Sequence, residues 1–240
     1  MDNYSLRSKR LKLIAEFILK DGIICDVGCD HAYLPIFLVS SGRVKRAIAM
    51  DVNQGPLDIA KDNKIKAGLS DRIDIRQSDG LWALEYGEAD QIVIAGMGGA
   101  LTLRILEKDM DKALSAKRWI LQPQSELSMV RGWLREKCIS IIDEAMLIER
   151  GKNYTVILAD AANSAGLSEA VAEDQAIEDR FGPILLQKKD HVLIQFLGNE
   201  YKRLSRLVEQ MPPEHEDRKH ELYNELLLVK KALIRMGQQV

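Results

Sequence analysis

Four short strand-like runs, Ile23–Val27, Ala47–Met50, Ile73–Arg76 and Gln91–Ala95, each lead into a turn carrying acid or glycine, and residues at helical spacing follow the first, second and fourth. This alternation constrains the chain most, because strands that recur with helices between them form a parallel sheet covered on both faces. Around these runs the apolar spacing predicts an opening helix over Ser5–Leu19, a helix through Ile36, Phe37 and Leu38 with Pro35 in its first turn, and a helix over Pro56–Ala67 closed by Gly68. Further along it predicts helices over Leu101–Lys108 and Met129–Glu136 and a strand over Trp119–Gln122. Two last strands, Ile139–Ile148 and Tyr154–Ala159, are placed to form an antiparallel hairpin across Gly151.

The small, polar stretch Ala161–Ala172 reads as a linker, and beyond it the pattern is purely helical. Leu193, Leu197, Tyr201, Leu204, Val208 and Met211 make one stripe; Leu222, Leu226, Val229, Leu233 and Met236 make another, with Pro212-Pro213 breaking the chain between them. Two such stripes joined by a proline turn bury each other as an antiparallel hairpin, which favours a monomer; a dimeric coiled coil is the rival arrangement.

Composition narrows the class. Of 240 residues 46% are hydrophobic and 29% charged, which excludes a largely disordered chain. No apolar run is long enough to span a bilayer and no apolar leader opens the sequence, so a cytoplasmic protein without a membrane partner is expected. Cys25, Cys29 and Cys138 match no zinc spacing, and neither a metal nor a disulfide is expected. A formal net charge of -2 gives no general attraction for nucleic acid, so any RNA contact must use local patches. Arg7, Lys9, Arg10 and Lys12 form one such patch, or simply the solvated face of the first helix.

In an open parallel sheet the ligand sits at the carboxyl ends of the strands, where strand order reverses. Asp26 closes the first strand, Asp51 with Val52 follows the second, and Asp79-Gly80 follows the third. An acid after the second strand suits ribose hydroxyls, and a carboxylate with a glycine after the third suits an adenine amino group. A cofactor containing adenosine is implied. The turn D-V-G-C-D-H-A-Y-L-P, Asp26 to Pro35, then discriminates: Asp30 would repel a pyrophosphate and the glycines of a dinucleotide loop are missing after Gly28. S-adenosyl-L-methionine, with a sulfonium and an ammonium in place of phosphate, suits an acidic turn. Gly28 is read as leaving space for it. Asp30 has the alternative role of capping the next helix, His31 of supporting that helix, and Tyr33 of packing rather than stacking on a base. The loop Gly96-Met97-Gly98-Gly99 offers backbone contacts and room for a substrate base, or only a tight turn before the next helix.

Taken together, S-K-R-L at Ser8–Leu11, D-V-G-C-D-H-A-Y-L-P, I-A-G-M-G-G at Ile94–Gly99, L-Q-P at Leu121–Pro123, G-K-N-Y at Gly151–Tyr154 and F-G-P at Phe181–Pro183 resemble the bacterial tRNA (adenine-22-N1)-methyltransferases, the TrmK family. The resemblance implies an α/β, class I Rossmann-like methyltransferase domain over residues 1–160 and a helical, coiled-coil-like hairpin over 161–240 that assists tRNA binding. It implies methyl transfer from S-adenosyl-L-methionine to N1 of an adenine in tRNA, with weight on Arg10 and Asp30. The site expected is catalytic Asp30; Asp26, Gly28, Asp51, Val52, Asp79, Gly80, Gly96 and Met97 around the cofactor; and Arg10, His31, Tyr33 and Gly98 at the substrate. Cys29, Met50-Asp51 and Gln124 depart from the family's usual serine, G-E pair and asparagine. Action on another RNA base, or an adaptor that keeps the fold without catalysis, are the alternatives.

Overall fold

A computed structural model describes residues 5–164, 172–212 and 215–239. Seven strands form one sheet: β1 (Ile23–Val27), β2 (Arg46–Asp51), β3 (Ile73–Gln77), β4 (Gln91–Ala95), β5 (Arg118–Gln122), β6 (Ile139–Glu149) and β7 (Lys152–Ser164), in the order β3-β2-β1-β4-β5-β7-β6. The first five run parallel; β7 pairs antiparallel with β5, and β6 with β7, across Arg150 and Gly151, which both take positive φ. Strand order therefore reverses between β1 and β4.

Successive strand residues point to opposite faces, and both faces are covered. Ile24, Ala49, Val93, Ile120 and Leu158 face a core built with α1 (Lys9–Phe17), α2 (Tyr33–Ser40) and α3 (Gln54–Lys66). Cys25, Ile48, Ile92, Trp119 and Ile157 face the core of α4 (Gly99–Lys108), α5 (Met110–Ser115) and α6 (Leu127–Glu136). The same alternation sends Asp26 and Gln122, two residues beyond Ile24 and Ile120, toward the α1 side.

The opening helix is shorter than its apolar spacing suggests. Ser8 caps it, its hydroxyl accepting from the Leu11 N–H, so the first turn is Lys9 and not Ser5. The six-residue α5 has a single buried residue, Ala113, too little period to be seen in sequence. The expected linker begins later than residue 161, because β7 continues to Ser164; residues 165–171 lie outside the described part, and Ala172 opens α7.

The chain divides into two compact units, Met1–Ser168 and Glu169–Val240. The second holds α7 (Ala172–Phe181), α8 (Pro183–Lys188), α9 (His191–Gln210) and α10 (Glu216–Arg235). The Asp190 carboxylate caps α9, accepting from Val192 at 2.9 Å and Leu193 at 3.0 Å. From the predicted stripes, Leu193, Leu197 and Leu204 of α9 and Leu222, Val229 and Leu233 of α10 are buried, and the two helices pack on each other within one chain. No described helix is long and apolar enough to cross a membrane.

Candidate active site

The turn after β1 is tied to the end of β2. Gly28 and Cys29 N–H groups both donate to the Met50 carbonyl, at 2.8 and 2.9 Å, and the Asp30 N–H donates to Asp51 Oδ2 at 3.2 Å. Asp51 Oδ1 accepts from the Asn53 N–H at 2.9 Å. Asp51 thus braces the loop, and carboxylate lone pairs remain for a further donor.

Asp30 is not the cap of α2. Ala32 holds that position in the left-handed region, with no side-chain hydrogen bond, and Asp30 itself sits at φ 51°. Its side chain is 69% exposed and lies 3.6 Å from His31 Nε2. An Asp tolerates this backbone where most residues would not, and the carboxylate is left free to face a ligand. His31 Nδ1 is buried and has no hydrogen-bond partner, while its ring meets Tyr33 edge-on at 5.7 Å. Tyr33 does not pack away: it is 55% exposed.

Asp26 is buried, and among the described residues no donor reaches its carboxylate. Burial first, and then the negative Asp51, push its pKa up to about 7, against the opposing pull of Arg10. Arg10 comes from the first turn of α1. Its Nη1 donates to the buried Gln122 Oε1 at 2.6 Å, and its guanidinium lies 5.8 Å from the centre of the Tyr154 ring. Glu149, at the end of β6, fixes that turn by accepting from the Ser8 hydroxyl at 2.9 Å and the Lys9 N–H at 2.6 Å. These contacts hold the Glu149 carboxyl below its usual pKa, the Lys9 N–H most of all.

The loop after β4 faces Arg10. Gly96 has φ +81°, and a Cβ there would lie 3.3 Å from Arg10 Nη1 and 3.7 Å from Gln124 Nε2. Gly98 is the cap residue of α4. Gly99 serves packing: a Cβ would meet the Ser125 carbonyl at 2.8 Å and the Glu126 carbonyl at 3.0 Å. Gly28 also has a close neighbour. The Met97 methyl lies where a Gly28 Cβ would stand. The thioether is flexible, so this space is given up readily to another apolar or sulfur-bearing group.

After β3, Asp79 pairs with Lys108 Nζ at 2.7 Å, which draws its pKa down, and Gly80 at φ +67° has Ile105 against it. Val52 is exposed beside Asp51, its carbonyl held by Gln77 Nε2 at 3.0 Å. The structure therefore brings Arg10, Asp26, Gly96, Met97 and Gly28 together, and Asp30 and Asp51 with them through the bonded turn. Asp79 and Gly80 stand at the β3 end, paired outward. Glu149 was not singled out in the sequence, and Gln122, Tyr154 and Gln124 stood only within or beside the family motifs with no role assigned; here Gln122 and Tyr154 contact Arg10, and Gln124 lies by Gly96.

This donor set fits S-adenosyl-L-methionine. A buried carboxyl without a donor matches an ammonium, acceptors at Asp51 and Asp79 match ribose hydroxyls and an adenine amino group, and positive-φ glycines at residues 28, 80 and 96 let backbone approach closely.

Comparison with known proteins places this arrangement. The family described as tRNA (adenine(22)-N(1))-methyltransferase, TrmK, matches residues 24–231. The tRNA (adenine(22)-N(1))-methyltransferase of Bacillus subtilis is 38% identical over 204 residues, 85% of each chain. Among solved structures, Streptococcus pneumoniae Sp1610 in complex with S-adenosyl-L-methionine is 36% identical with a TM-score of 0.82, covering 95% of this chain and 100% of that one. TrmK of M. capricolum in complex with S-adenosyl-homocysteine is 28% identical with a TM-score of 0.83, covering 97% and 100%. The chain belongs to the TrmK family of tRNA (adenine(22)-N(1))-methyltransferases.

Proposed function

We infer that this protein transfers a methyl group from S-adenosyl-L-methionine to N1 of adenine 22 in tRNA. The observation that carries this reading is the family match across residues 24–231, which includes every expected site residue except Arg10. When bound, S-adenosyl-L-methionine supplies an electrophilic methyl group on a sulfonium. In our reading Asp26 receives its ammonium, Gly28, Gly96 and Met97 line its methionine end, Asp51 takes the ribose hydroxyls, and Val52, Asp79 and Gly80 hold the adenine. Asp79 exchanges Lys108 for that contact at small cost, since the pair is exposed.

N1 attack leaves a positive charge on the target ring. Asp30, an exposed carboxylate on a turn fixed to β2, stabilises that charge as it develops and takes a proton when the exocyclic amine gives one up. Arg10, held by Gln122 and Tyr154, orients the substrate, with Gly98 and His31 beside the base and Tyr33 at the edge of the substrate site. N1 is paired or stacked in folded RNA, so the base is exposed before transfer. We assign residues 1–160 to cofactor binding and catalysis and 161–240 to tRNA contact, with Lys188, Lys189, Lys202, Arg203 and Arg206 as candidates; Arg203 is already held by Glu200 at 2.8 Å and is the weakest of these. We place the enzyme in the cytoplasm, with tRNA as partner.

Incubation with bulk tRNA and methyl-labelled S-adenosyl-L-methionine, followed by digestion and nucleoside chromatography, tests the assignment: label should run as N1-methyladenosine. Label in another nucleoside would refute it. Asp30→Ala should lose most of its turnover at saturating cofactor and tRNA; unchanged turnover removes Asp30 from the chemistry.

A further inference from the structure

One cavity lies beside the reaction centre, and of its lining residues only Tyr33 has been given a functional role above. It encloses about 600 Å³ between the segment preceding α1 and the start of α2, within the range of small-ligand pockets. Leu6, Leu11 and Ile36 form an apolar floor, the Tyr33 ring is a wall, and Arg7 and Ser8 stand at the rim. Leu6 and Ile36 are buried, whereas Tyr33 and Arg7 are exposed. Among the described residues Arg7 has no carboxylate partner.

The cavity is separate from the cofactor cradle, since Asp26, Gly28, Asp51 and Asp79 do not line it. It is also separate from the Arg10 contacts. Ser8 and Leu11 share one side of the first turn of α1 and face the cavity, while Arg10 turns toward Gln122 and Gly96. One helical turn thus serves two places, and Tyr33 stands three residues from Asp30.

We propose that this cavity is a nucleotide subsite for tRNA, taking a base that neighbours the target adenine. The proposal rests on the reading that the chain methylates an exposed tRNA base. Extruding that base leaves its neighbour with one face unstacked. A flat aromatic wall over an apolar floor replaces the lost stacking without regard to base identity. The rim cation matches the phosphate that follows such a base, and the charge is local, as a chain of net charge -2 requires.

The test is a double-substitution cycle on tRNA binding in the presence of S-adenosyl-homocysteine. Tyr33→Leu should raise the tRNA dissociation constant roughly tenfold or more, from the usual effect of losing a base–aromatic stack, with cofactor affinity unchanged; Tyr33→Phe should bind as wild type. tRNA carrying an abasic residue at one of the two positions flanking the target should lose a similar factor with the wild-type protein, and no further factor with Tyr33→Leu. Wild-type tRNA affinity in Tyr33→Leu, or full additivity at both flanking positions, overturns the subsite. Non-additivity is read from binding alone, so absence of methyl transfer with the cycle intact would overturn only the catalytic reading.

Discussion

Asp26→Asn should make the free protein more stable above neutral pH while weakening cofactor binding. On folding, the Asp26 carboxyl moves from an ordinary 3.8 to about 7, first through burial and then through Asp51. Below about pH 4 it is protonated in folded and unfolded chains alike, and its titration contributes nothing. Between pH 4 and 7 the unfolded chain gives up the proton while the folded chain keeps it, so stability falls as pH rises. Above 7 the full penalty stands, about 4 kcal/mol at most for a shift of this size. Asparagine fills the same space without the charge. By chain length, 1 kcal/mol moves a melting temperature by about 2–4 °C, so Asp26→Asn should melt up to about 8–16 °C above wild type at pH 8, with the difference closing toward pH 4.5. Thermal unfolding followed by circular dichroism across that range, without cofactor, measures it. In parallel, calorimetric titration with S-adenosyl-L-methionine should show Asp26→Asn binding at least tenfold more weakly, because the ammonium that favours the charged carboxylate has lost it. A variant no more stable at pH 8, a difference independent of pH, or unaltered cofactor affinity would each refute the reasoning.

Three further outcomes follow from named contacts. Gln122→Leu removes the acceptor that orients Arg10 and should lower kcat/KM for tRNA about 10–100-fold, as loss of a hydrogen bond to a charged group does, with cofactor affinity within about twofold of wild type by titration. Gly99→Ala drives a methyl into the Ser125 and Glu126 carbonyls and should cost about 1–3 kcal/mol in urea unfolding; full stability would mean that turn yields. Arg131 Nε and Glu144 Oε1 form a buried pair at 2.8 Å, so Arg131→Met should cost about 3–5 kcal/mol, and adding Glu144→Gln should recover much of it.

What was legible in the sequence were features set by local period and by strand ends. Ile23–Val27 and Gln91–Ala95 read as buried strands because both their faces are covered, and Asp26, Asp51 and Gly96 stood out because each ends a strand on the rim where order reverses. The helical stripes of α9 and α10 were visible for the same reason. Contacts between residues far apart in the chain were not. Arg10 meets Gln122 across 112 positions and Ser8 meets Glu149 across 141, and no periodicity records either. Met97 covering Gly28 is likewise a matter of how two loops meet, and nothing in the sequence places one beside the other. Whether Asp30 caps the helix was open by residue type, and the left-handed Ala32 takes that place.

The central claim is the site of methylation. N1-methyladenosine cannot pair through its Watson–Crick edge and so halts a reverse transcriptase. A tRNA transcript with adenine at position 22, treated with the protein and S-adenosyl-L-methionine, should give one new primer-extension stop next to nucleotide 22, and the same transcript with guanine there should give none. A stop at another position, or one that survives the change to guanine, would contradict the account.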